Sequence, residues 1–98
     1  MPAYLFEIEL PTFSDELMAP VPVHRQYIDK LFAEGKILSY SVSLKRDMIW
    51  CVVNAEEEQH AMESVITFPL YKFFVDVTCH PLLFHNILPA TLPGIVLN

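Results

Sequence analysis

The order in which apolar residues change their period constrains this chain more than any single motif. Tyr4, Phe6, Ile8 and Leu10 alternate with Leu5, Glu7 and Glu9, so Ala3–Leu10 reads as a half-buried strand that Pro11 closes. After a connection over Thr12–Pro22, the pattern turns helical. Tyr27, Ile28, Leu31 and Phe32 share a stripe, Pro22 suits the first turn and Gly35 suits a left-handed exit. Ile37–Leu44 alternates again, with Leu38, Tyr40, Val42 and Leu44 opposed by Ser39, Ser41 and Ser43. Beyond a charged turn at Lys45, Arg46 and Asp47, Met48–Val53 is apolar on both faces and reads as a central strand. Asn54 and Glu57 resemble a capping box for a helix carrying Ala61, Met62, Val65 and Ile66, which ends before Pro69. Tyr71–Cys79 is the last strand, stopped by His80 and Pro81.

The resulting order, β-α-β-β-α-β, predicts an α+β ferredoxin-like fold, with a four-stranded antiparallel sheet and both helices on one face. One domain is expected over residues 1–86. An apolar tail over 87–98, cut by Pro89, Pro93 and Gly94, is expected to pack on a neighbouring subunit. The helices leave the other sheet face bare. On it the alternation sets Glu7, Glu9, Ser39, Ser41, Ser43, Phe74, Asp76 and Thr78, with either Trp50 or Cys51 at its middle.

That bare face matters because the chain is 98 residues long, 53% hydrophobic and only 18% charged. A chain of this size hides roughly 65% of its unfolded surface. The remaining apolar surface calls for a second copy, an enclosed ligand, or both. Disorder is excluded by the same composition. A membrane span would need roughly 20 consecutive apolar residues, and no stretch supplies them. The net charge of −6 opposes nucleic acid and anionic membranes as partners. After Glu63 only Lys72 and Asp76 are charged. Cys51 and Cys79 sit inside strand-like runs without disulfide or metal spacing, and the acidic N-terminal segment does not read as a signal peptide. A reducing cytoplasm is the expected location.

Three stretches carry a resemblance. They are Leu10 with Pro11, the helix end from Leu31 to Gly35, and Phe68, Pro69, Leu70 and Tyr71 leading through Val75, Asp76 and Val77 to His80 and Pro81. Together, over about Tyr4 to His85, the chain resembles the muconolactone isomerase family of the dimeric α+β barrel superfamily. The resemblance implies paired sheets in a homodimer or larger ring. It also implies isomerisation of a small lactone in aromatic-compound catabolism, by moving a double bond. The first strand carries Glu7 and Glu9 where that family has basic residues, and the first helix opens on His24 and Arg25.

A proton shift of this kind needs a base beside a carbonyl and donors for the dienolate oxygen, with no metal or organic cofactor. His24, whose ordinary pKa of about 6.5 suits proton transfer near neutrality, is one candidate base; a surface histidine at a helix start is the alternative. Glu7 and Glu9 are the others, desolvated on an inner face or paired at its rim. Arg25 could hold a carboxylate bidentately or be a solvated helix charge. Tyr40 and Trp50 are candidate pocket walls or core residues. Asp76 and His80 could reach a substrate, with a cross-strand hydrogen bond as the alternative for Asp76. A non-catalytic protein of the same fold that binds a small ligand or serves assembly is the competing reading.

Overall fold

A computed structural model describes residues 2–86; the expected tail over 87–98 lies outside them. Its elements are β1 (Ala3–Glu9), α1 (Asp15–Met18), α2 (Val21–Ala33), β2 (Ile37–Val42), β3 (Met48–Asn54), α3 (Glu58–Ile66) and β4 (Asp76–Leu82). All strand pairs are antiparallel, in the order β2-β3-β1-β4, and the helices lie on one face: the fold is α+β and ferredoxin-like. The doubly apolar β3 is interior, as its composition requires.

Strand alternation decides what each face holds. Tyr4, Phe6 and Ile8 of β1 stand in register with Val53, Cys51 and Ile49 of β3, and all six are buried. Ile28 and Leu31 of α2 and Ala61 and Val65 of α3 close over them. Each fully buried side chain of this size contributes about 1.5–3 kcal/mol, so the core rests on this one layer. Gly35 ends α2 at φ +73°: its N–H donates to the Phe32 carbonyl at 3.0 Å, and that of Lys36 to Leu31 at 2.9 Å.

Five details differ from the sequence reading. The Thr12–Pro22 connection contains α1, started by Ser14, whose Oγ accepts from the Leu17 N–H at 3.2 Å; Leu17 is buried. A register shift between Ile37 and Ser39 turns Ile37 into the core, in place of Leu38. β2 stops at Val42 because Ser43 closes the next turn. Its Oγ accepts from the N–H groups of Asp47 (3.1 Å) and Met48 (3.0 Å), which leaves Leu44 exposed and removes Ser43 from the sheet face. Asn54 finishes β3 and donates from its amide to the Gly35 carbonyl at 3.3 Å, so Glu57 stands at the N-cap of α3 with no side-chain cap.

The fifth correction concerns the last strand. Tyr71–Phe73 form a 3-10 turn, and Phe74 packs edge-on against Phe68 and Tyr71 instead of facing out from the sheet. The aromatic run imitates strand alternation but folds back on the core. β4 then runs through His80 and Pro81 to Leu82. Proline is tolerated there because β4 is an edge strand, where alternate backbone nitrogens have no ladder partner.

Candidate functional site

The first turns of α2, together with α1 and the turn after β2, enclose a cavity of about 520 Å³ against the core face of the sheet. Phe13, Leu17, Val21 and Ile49 supply apolar wall, and His24, Tyr40, Arg25 and Arg46 supply its polar groups. The exposed Arg25 and Arg46 mark the side that opens to solvent. These are both of the chain's arginines, brought to one rim in a protein of net charge −6. Arg46 adopts φ 62°, a left-handed conformation uncommon for a side chain of its size, and its guanidinium lies over the Phe13 ring at 5.1 Å.

His24 is 2% exposed, the one buried polar or charged residue among those described. Helical spacing sets it there, since His24, Ile28 and Leu31 fall at i, i+4 and i+7 on the buried stripe of α2. Nε2 lies 2.7 Å from the Tyr40 hydroxyl oxygen, and the Leu70 N–H donates to Nδ1 at 3.4 Å. The Phe68 ring packs edge-on at 5.6 Å between centroids. Burial pushes the imidazole pKa down from 6.5 to about 4, so the ring is neutral at pH 7. Tyr40 faces the core from β2, opposite Cys51 in register. Burial, and then Cys51, push its pKa well above the ordinary phenol value. A second cavity of about 210 Å³ also meets this pair and Arg25, and is bordered by Asp29 and Phe32.

The remaining candidates lie across the sheet. Glu7 is in register with Trp50 and Thr78, one residue out of phase with Phe6 and Cys51, so its side chain leaves by the opposite face. There Glu7 Oε1 lies 2.6 Å from His80 Nε2, and Trp50 is 37% exposed. Glu9 and Asp76 are opposed in register and both exposed. The structure therefore brings together His24, Arg25 and Tyr40. It separates them from Glu7, Glu9, Trp50, Asp76 and His80 by the thickness of the sheet. It also replaces the ordinary histidine pKa expected for His24 with a depressed one, because the ring is buried. Arg46, Leu17 and the Leu70 N–H were missed from sequence. Arg46 stood in a turn of two cations and an acid, with nothing to tell it from solvated charge.

No protein-family model matches this chain, and no curated protein matches it. Among solved structures it is similar to 5-chloro-2-hydroxyhydroquinone dehydrochlorinase (TftG) from Burkholderia phenoliruptrix AC1100, in complex with 2,5-dihydroxybenzoquinone. That likeness has a TM-score of 0.63 and 16% identity, covering 80% of this chain and 90% of the other. At that identity the likeness shows the fold and does not single out muconolactone isomerases.

Proposed function

We propose that the chain is a cofactor-free enzyme of the muconolactone isomerase type, shifting a double bond within a small lactone or other enolisable ring. The cavity under α2 is its site. The observation that carries this reading is the buried His24–Tyr40 hydrogen bond, set in an apolar cavity whose open rim holds both arginines. A planar ring fits a space of about 520 Å³. Removing a ring proton beside a carbonyl leaves negative charge on the carbonyl oxygen. A hydrogen-bond donor in a dry site stabilises such charge by about 3 kcal/mol. The guanidiniums favour an anionic substrate, and the proton removed from one ring carbon returns at the far carbon, so the shift has no net proton uptake and calls for a base beyond the groups that line the cavity. Glu7 and Glu9 have no part in this chemistry from the opposite face.

A second reading has its own support. No carboxylate borders the larger cavity among the described residues, and the neutral His24 has both nitrogens engaged. A site with donors and no ready base suits a protein that binds an anionic ring without converting it. Ultraviolet absorbance of muconolactone, with 2,5-dihydroxybenzoquinone as a binding probe, separates the two. Turnover lost in Tyr40→Phe supports the enzyme. Binding of the quinone without turnover of the lactone supports the binding protein. No binding of either compound overturns the cavity as the site.

We also propose that the sheet face bearing Trp50 packs on a second copy, as in the superfamily's paired sheets. Its support is the exposed Trp50 of the interior strand β3, on a face the helices leave bare.

A further inference from the structure

We infer that Tyr40 is the group that meets the ligand, with its hydroxyl proton turned into the cavity by His24 to donate to an ionised oxygen on a ring. This rests on the reading of the cavity under α2 as the functional site and assigns the direction of its central hydrogen bond. An amide N–H is a donor in every state, so the Leu70 N–H, 3.4 Å away, is matched by a lone pair on His24 Nδ1 and opposed by a proton there. A neutral imidazole with Nδ1 bare carries its proton on Nε2. That nitrogen lies 2.7 Å from the Tyr40 oxygen, so the imidazole donates and the phenol accepts.

The Tyr40 proton cannot then lie along the same line. It points toward the space around the hydroxyl, and Tyr40 borders both cavities. A hydroxyl that accepts one hydrogen bond is the stronger donor in its next, because chains of hydrogen bonds polarise one another. Burial keeps the phenol protonated. His24 is thus a positioning residue: it touches Tyr40 and holds the rotor without needing to touch the ligand. The acceptor that profits most is charged, an enolate or phenolate oxygen at the edge of a planar ring. Its remaining charge can face the guanidiniums at the rim.

Two measurements decide this. Long-range ¹H–¹⁵N correlation on the free chain at pH 7 is expected to find His24 with Nδ1 unprotonated and Nε2 protonated. A proton on Nδ1 would reverse the hydrogen bond and overturn the inference, leaving the cavity itself untouched as a site. Visible-absorbance titration with 2,5-dihydroxybenzoquinone then compares variants. Tyr40→Phe is expected to weaken binding about tenfold or more, as for a hydrogen bond to a charged group. His24→Phe should match that loss, and the double variant should be no worse. His24→Gln, whose amide can accept from Leu70 and donate to Tyr40, should recover most of the affinity, which a merely space-filling role would not predict. Equal affinity in Tyr40→Phe and the native chain overturns the inference. A native chain that ignores the quinone overturns the site and the ligand half of the inference together, while the nitrogen spectrum still decides the proton's direction.

Discussion

Acid should weaken this fold through His24 in a way that can be isolated from its carboxylates. The imidazole titrates at 6.5 when exposed and at about 4 when folded, because burial disfavours its charged form. Between those values the unfolded chain binds a proton that the folded chain refuses. Stability is therefore complete above pH 6.5, falls as pH drops through this window, and loses no more on this account below pH 4. At about 1.4 kcal/mol per unit, the full shift is worth about 3 kcal/mol. About 2 kcal/mol of this falls between pH 7 and pH 4.5. The charged and titratable groups around the ring are Tyr40 from β2, Arg25 and Asp29 from α2, and Arg46 from the following turn, with Cys51 behind Tyr40. Urea unfolding of the native chain and of His24→Gln, each at pH 7 and pH 4.5, isolates the effect. The native chain should lose about 2 kcal/mol more than the variant over that range. Equal losses in both would refute the argument, because the carboxylates common to both chains would then account for everything.

Three further outcomes follow from the same geometry. Cys51 is fully buried with its thiol pushed up to about 12, so under native conditions a thiol reagent should modify Cys79 and reach Cys51 only on unfolding; equal rates would contradict the packing. Gly35→Ala meets no atom within 4 Å but must adopt φ +73°, so it should cost about 1 kcal/mol in denaturant unfolding, and Gly35→Asn less. Sedimentation at micromolar concentration should give a mass well above 11.3 kDa, falling toward it in Trp50→Glu; a native monomer would remove the proposal that sheets pair.

The fold was legible because its signals are local. Period two at Tyr4, Phe6 and Ile8, a doubly apolar Met48–Val53 and a glycine at a helix exit each depend on a few neighbouring residues. What escaped depended on contacts distant in sequence. The alternation around Phe73 and Phe74 is consistent with a strand until Phe68 and Tyr71 offer rings for Phe74 to pack on. Likewise Pro81 stops a strand only if the strand is interior, and β4's place at the edge is a property of the whole sheet. Ser43 looked like one more alternating serine, yet it closes a turn by accepting two backbone N–H groups beyond it.

The site was half legible for a sharper reason. Its histidine belongs to the buried stripe with Ile28 and Leu31, a spacing readable from the chain, but a polar side chain is easily left out of an apolar count. Once His24 is placed on that stripe, the rest is constrained. A buried imidazole needs partners for both nitrogens; the Leu70 N–H, from the connection after α3, meets one, and the core face of the sheet supplies the other. On β2 that face presents Tyr40, so the pair could have been joined from sequence by asking what satisfies His24. The same question separates the carboxylates: Glu7 alternates with Phe6 and Ile8, and residues that alternate with the core cannot meet a ring buried in it. Sheet parity therefore divides the candidates into two sets before any distance is measured. The set holding the buried histidine is the one where a desolvated hydrogen bond can act on a ligand, whereas the Glu7–His80 pair is solvent-exposed and weak unless a second copy covers it.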